Sequence, residues 1–112
     1  QSAEKSERLI PWCYWEQSDS GYNMKKYEIN EGIFDWHNDS MVVDNTWRHL
    51  GVIWYLNDVQ DGGYTEFFDG TVITPVTGRL LVFPSTWTFP HRGVAPKSNE
   101  KYIITSFVTT SF

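Results

Sequence analysis

The segment Trp36-His37-Asn38-Asp39 sets an imidazole and a carboxylate two residues apart. On an extended strand, residues i and i+2 project to the same face, so His37 and Asp39 point together while Asn38 points away. Such a pair offers two ligands to a divalent cation. A third is needed, and the chain has only two other histidines, His49 and His91. His49 opens an apolar stretch and reads as a hydrogen-bonded strand residue. His91 sits in Phe89-Pro90-His91-Arg92-Gly93, a rim bounded by Pro and Gly of the kind that lines a site. Two imidazoles and one carboxylate on one face of a metal leave three coordination positions open, the facial donor set of non-haem Fe(II). A His-x-Asp triplet is also what a polar strand end looks like, so the spacing needs support from its surroundings. Lys101 follows His91 by ten residues, and the stretch 78–85 (GRLLVFPS) runs directly into the His91 bend.

The elements that must position these groups read as short strands. Residues 9–16 (LIPWCYWE) are extended, with Pro11 placing them at an edge; residues 18–21 form a turn cluster. Segments 24–29 and 33–39 are separated by Asn30-Glu31-Gly32, a hairpin-like connection in which Gly32 supplies a positive φ. Residues 40–48 are mixed in character and read as a loop or lid. The apolar run 49–56 (HLGVIWYL) is a buried strand ending at Asn57-Asp58 and the turn Asp61-Gly62-Gly63. Segments 64–68, 72–75 and 79–83 follow, broken by Asp69-Gly70 and Thr77-Gly78. Pro84-Ser85 and Pro90 bracket a bend before His91, and 102–110 (YIITSFVTT) alternates as a long final strand. About eight short strands with turns between them are the pattern of a sandwich or jelly roll, with few or no helices.

Composition agrees. Val, Ile and Thr total 26, against 7 for Ala and Leu together, and aromatics add 19. β-branched and aromatic side chains suit a pleated, half-buried surface, and the missing Ala and Leu are the helix formers. A length of 112 residues predicts one domain, 1–112, with the polar residues 1–8 as a disordered or truncated stub. Acidic residues number 14 against 9 basic, and no basic run exceeds Lys25-Lys26, so a nucleic-acid partner is not expected. A single cysteine, Cys13, excludes an internal disulfide and reads as a small apolar filler. With no membrane-length apolar run and no signal-like start, a cytoplasmic protein with no membrane partner is expected. Trp12, Trp15, Trp54 and Phe83 read as core residues. Trp36, Trp47, Arg48, Trp87 and Arg92 fall near the site or its lid; of these, Trp36, Trp47, Arg48 and Arg92 are candidate substrate contacts.

Taken in order, Tyr27, Gly32, Trp36-His37-Asn38-Asp39, Trp54-Tyr55-Leu56-Asn57, Gly62-Gly63-Tyr64-Thr65-Glu66-Phe67, residues 78–85, His91 and Lys101-Tyr102-Ile103-Ile104-Thr105 resemble the 2-oxoglutarate- and Fe(II)-dependent oxygenases, especially their small prolyl-4-hydroxylase-like members. The resemblance covers nearly all of the chain from Tyr27 onward. Each piece alone is unspecific, whereas their order and spacing together are specific. The resemblance implies a double-stranded β-helix in which His37, Asp39 and His91 bind Fe(II). It implies that Lys101 pairs with the distal carboxylate of the cosubstrate 2-oxoglutarate, a buried charge that needs such a partner. Tyr27, Tyr55, Thr65 and Thr105 match the hydroxyl-bearing positions that complete that pocket; Thr105, four residues past Lys101, shares its strand face. The activity implied is dioxygenase hydroxylation of a C–H bond with O2, 2-oxoglutarate being decarboxylated to succinate and CO2. The substrate implied is a peptide or protein, with a prolyl side chain as the first guess, or else a small molecule. An aspartate at position 39, where a small residue would stand in a halogenase-like variant, favours hydroxylation.

Members of that family usually carry upstream helices that brace the larger sheet, and only a polar stub precedes Leu9 here. The expectation is therefore an incomplete or unusually minimal member. His91 follows His37 by only 54 positions, which leaves little room for a substrate-capping insertion. Two other readings stand beside this one. Zinc in the same triad would resemble a hydrolytic site, although no general base lies nearby in sequence and Lys101 would be unexplained. A non-catalytic jelly-roll binding module would suit the Trp-rich surface but would have no reason to bind 2-oxoglutarate in a metal-dependent way.

Overall fold

The computed structural model describes residues 16–43 and 45–111. The 1–8 stub, Pro11, Trp12, Cys13 and Trp15 lie outside the described residues. Ten strands and no helix make up the described part: β1 (Glu16–Asp19), β2 (Asn23–Tyr27), β3 (Phe34–His37), β4 (Val42–Val43), β5 (Thr46–Tyr55), β6 (Thr65–Phe67), β7 (Val72–Ile73), β8 (Leu80–Pro84), β9 (His91–Gly93) and β10 (Lys101–Ser111). Accordingly, among the described residues no helix is long and apolar enough to cross a membrane.

The two longest strands, β5 and β10, are the axis of a six-stranded antiparallel sheet, paired from Thr46↔Ser111 to Tyr55↔Ile103. Their sequences explain their length: β10 carries Ile103, Ile104, Thr105, Val108, Thr109 and Thr110, all β-branched. A register shift between Val108 and Thr109, opposite Leu50 and Arg48, places one extra residue, His49, on β5 and resets that strand's alternation there. β1 and β2 lie end to end along the free edge of β10, and β4 and β8 along the free edge of β5. A second, four-stranded sheet has the order β3-β9-β6-β7, with every strand four residues long or shorter. Together they form the double-stranded β-helix, or jelly roll.

The 24–29 and 33–39 segments do become strands, but they do not pair as a hairpin. β2 pairs with β10 in the large sheet and β3 with β9 in the small one. Asn30-Glu31-Gly32 therefore carries the chain from one sheet to the other. Gly32 has φ +77°, and a Cβ there would run into the Tyr27 ring, so both the turn and the close approach require glycine. Within 40–48 there is a strand and the start of another: β4, and residues 46–48 of β5, with Val42↔Trp47 paired. The bend at His91 is itself a short strand, β9, held between β3 and β6.

The core lies between the sheets and contains Tyr55, Phe67, Phe83 and Ile103, all buried. Phe83 is thus a core residue as expected, but Trp54 is not. Strand alternation turns Tyr55 inward and Trp54 outward, where it meets Tyr22 with ring centroids 6.2 Å apart. Opposite Phe83 stands Gly51, where a Cβ would come within 2.6 Å of the phenyl ring. Glycine at that position lets the ring lie flat on β5 and reach the other sheet.

Candidate active site

His37 is the last residue of β3 and His91 the first of β9, and the two are register partners. Their ring centroids are 4.3 Å apart. Asp39 lies just past the end of β3, with its two carboxylate oxygens facing the two rings. His37 Nε2 is 3.4 Å from Oδ1, and His91 Nε2 is 3.3 Å from Oδ2. One donor atom from each of the three lies within 4.8 Å of the others, and no other such group of ligands occurs among the described residues. His49, on β5, is not part of it.

The hydrogen bonds on the far side of each ring decide what faces Asp39. His37 Nδ1 is 2.7 Å from the Asp35 carbonyl oxygen, and His91 Nδ1 is 3.1 Å from that of Phe89. A carbonyl only accepts, so each Nδ1 carries a proton, and in that tautomer a ring without a second proton presents its Nε2 lone pair to the carboxylate. Two lone pairs and a carboxylate converging on one point repel one another unless a cation sits between them. Protonating His91 instead is disfavoured, because burial holds its pKa below the ordinary imidazole value, against the opposing pull of its Phe89 contact and Asp39. The ring is packed between Phe83 (centroids 4.7 Å apart) and Phe67 (5.5 Å), while Phe34 covers His37 at 4.3 Å. The donor set fits a divalent metal, with carbonyl contacts of the kind that orient metal-binding histidines.

A cavity of about 240 Å³ opens beside this triad, lined in part by His37, Asp39, His91, Tyr27, Thr65, Lys101 and Thr105. Lys101 is 4 % exposed, and its ammonium donates to the Gly63 carbonyl oxygen at 2.8 Å and lies 4.9 Å from the centre of the Tyr27 ring. Among the described residues no carboxylate pairs with it. Burial pulls its pKa down from the ordinary 10.5 to about 8. A buried ammonium in this setting would gain from a carboxylate as its partner. Thr65 accepts or donates a 2.7 Å hydrogen bond with the Tyr55 hydroxyl. Tyr55 is fully buried and does not line the cavity, so it stands behind Thr65 and orients it.

The remaining expected contacts are dispersed. Arg48 lines the cavity, with its guanidinium 3.9 Å above the Phe107 ring. Trp36 and Arg92 pack on each other (4.9 Å) outside it, where Arg92 pairs with Glu66 at 2.6 Å. Trp47 stacks edge-on against His49 at 5.2 Å, and Trp87 is 76 % exposed. Sequence reasoning missed three participants. The Gly63 carbonyl that holds Lys101 belongs to a turn whose residues look like any tight turn. Lys25 and Phe34 line the cavity from β2 and β3. Strand alternation could have found Lys25, since Lys25 and Tyr27 share a face.

Residues 22–109 match the family model described as the 2OG-Fe(II) oxygenase superfamily. No curated protein is matched. Among solved structures, the chain is similar to the viral collagen prolyl hydroxylase of Paramecium Bursaria Chlorella virus-1 in its 2OG complex. That match has a TM-score of 0.75 and 19 % identity, over 95 % of this chain and 68 % of the viral one. A Pseudomonas putida prolyl-4-hydroxylase aligns with a TM-score of 0.62 and 29 % identity, over 77 % of this chain and 49 % of that one. Prolyl 4-hydroxylases from Phytophthora capsici align with a TM-score of 0.68 and 20 % identity, over 96 % of this chain and 38 % of that one. The chain thus spans about half of the bacterial protein's length and less of the oomycete one.

Proposed function

Because this chain belongs to the 2OG-Fe(II) oxygenase superfamily, we propose that it hydroxylates a C–H bond of a peptidyl substrate, a prolyl side chain first, with Fe(II), 2-oxoglutarate and O2. The observation that carries this reading is the convergence, in one cavity, of the His37–Asp39–His91 donor set and a buried lysine without an anion. Its further support is that solved structures with this fold are named as prolyl hydroxylases.

Iron and 2-oxoglutarate, when bound, supply the oxidative decarboxylation that activates O2 for insertion into a C–H bond. The chain's own residues hold and orient. The Asp35 and Phe89 carbonyls keep each Nδ1 protonated, so both Nε2 atoms are free to coordinate. Lys101, steered by the Gly63 carbonyl, offers its ammonium to a carboxylate of the cosubstrate. Thr65, held by Tyr55, and Thr105 offer hydroxyls to the same ligand, and Tyr27 walls it. Phe67 and Phe83 shield the His91 imidazole from water, which strengthens its charge interactions, while Phe34 packs against the more open His37 ring.

The test is anaerobic titration of Fe(II) and 2-oxoglutarate, followed by a search for succinate with proline-containing peptides. A weak visible charge-transfer band is expected in the native protein and absent in His37→Ala and His91→Ala. Absence of both the band and succinate would refute the reading, and zinc retained after anaerobic purification would favour a hydrolytic site.

A further inference from the structure

The cavity carries more positive charge than metal and cosubstrate account for. Three cations line it, Lys25, Arg48 and Lys101, and Asp39 is the only carboxylate among its lining residues. On the reading proposed above, a divalent metal brings two positive charges and 2-oxoglutarate two negative ones, and these cancel. The charges of Asp39 and Lys101 also cancel. Lys25 and Arg48 remain, and among the described residues neither forms an ion pair. This local excess stands in a chain whose formal net charge is −5, so it is not a general property of the surface.

Their placement is specific. Arg48 stands on β5 opposite Thr109, and its guanidinium reaches back over the Phe107 ring at 3.9 Å. A guanidinium stacked on an aromatic face is held flat, with its N–H edge free to donate two parallel hydrogen bonds to a carboxylate. The backbone N–H of Arg48 also donates to the Met41 carbonyl at 3.1 Å, which ties it to the segment that follows Asp39. Lys25 enters from β2 on the other side of β10, its ammonium 6.0 Å from the centre of the Phe34 ring that covers His37. The two cations therefore line one cavity from the same six-stranded sheet, on either side of the strand that begins with Lys101. When a substrate displaces water from such a cavity, uncompensated charges become costly and an anion from the substrate becomes correspondingly favourable.

We propose that the substrate of this site is an acidic peptide, whose carboxylate is received by Arg48, with Lys25 as a second, weaker contact. The inference rests on the peptidyl reading above and adds a charge requirement to it.

The test is isothermal titration of the Mn(II)- and 2-oxoglutarate-loaded protein, which cannot turn over, with four matched short peptides. Three contain proline flanked by Glu, by Gln or by Lys; the fourth is the Glu peptide with Ala replacing Pro. The Glu–Pro peptide is expected to bind about 10-fold tighter than the Gln–Pro peptide and tighter still than the Lys–Pro peptide, with the preference shrinking as salt is raised. Arg48→Gln should erase most of that preference and Lys25→Gln a smaller part. Equal binding of the Glu and Gln peptides, a preference that survives Arg48→Gln, or no binding of any peptide would each overturn the proposal. So would a loss of 2-oxoglutarate affinity in Arg48→Gln equal to that in Lys101→Gln, since Arg48 would then be a cosubstrate anchor. Binding of the Glu–Ala peptide as tight as that of the Glu–Pro peptide would support the charge requirement while removing proline as the target.

Discussion

The two ends of the cavity are built on different principles. The triad stands on the smaller sheet, at the ends of β3 and β9, strands of four and three residues, with Asp39 beyond the strand altogether. Lys101 begins β10, an eleven-residue strand that pairs with β5 and β2 over most of its length. Short strands contribute few ladder bonds, so the triad leans on side-chain packing, namely Phe34, Phe67 and Phe83 around two rings. Lys101 is held at the start of the longest strand, paired with Tyr27 of β2, and by the Gly63 carbonyl. At one end, two imidazoles and a carboxylate converge. At the other stands an ammonium with no carboxylate partner among the described residues.

The sharpest break in that comparison is selective loss of each function. His91→Ala should lower metal affinity more than about 100-fold, because it removes a direct ligand. Lys101→Ala should raise the 2-oxoglutarate requirement by about 10- to 100-fold while leaving metal affinity unchanged. Titrating metal and cosubstrate separately into both variants checks this, and loss of metal binding in Lys101→Ala would mean that the two ends are not independent.

A smaller effect concerns pH. Lys101 titrates near 8 in the fold and near 10.5 when unfolded, so between those values unfolding takes up a proton. Stability of the ligand-free protein should therefore rise with pH across that window, by on the order of 3 kcal/mol at most. Below pH 8 the buried ammonium carries its full desolvation penalty. Lys101→Met should abolish the rise in a thermal-melt series. Saturating 2-oxoglutarate should reverse its sign, because the ligand stabilises the charged form.

The smallest effect sharpens the role of Tyr55. Tyr55→Phe removes one buried hydrogen bond to Thr65 and should cost about 1 kcal/mol of stability in denaturant melts, with a modest rise in the 2-oxoglutarate requirement. A rise as large as that of Lys101→Ala would mean that Tyr55 contacts the cosubstrate directly.

Much of this molecule was legible along the chain. The strand through Tyr55, the final strand from the Lys101 region and the turn at Gly32 with its positive φ all stand where alternation and turn chemistry put them. Less legible were the weak elements. β4 and β9 are two and three residues long, too short for a period-two pattern to register, and residues 40–48 therefore read as a loop. Trp54 read as core because it is large and sits in an apolar run, but the strand turns it to the outer face.

By itself the sequence determined the residue types: two imidazoles and a carboxylate for a metal, a lysine beyond them, and β-branched strands to carry them. Tertiary structure alone decided which of these meet. Alternation tells which side of a strand a residue faces, but strand pairing is non-local, and nothing along the chain says which strand lies opposite. Thus His37 and His91, 54 residues apart, became register partners, and β2 and β3 separated into different sheets. Lys101 ended against the Gly63 carbonyl with no carboxylate partner among the described residues, and Arg48 came to rest on Phe107 within the same cavity. Burial and pairing are properties of the closed fold, and the charge balance of the site depends on both.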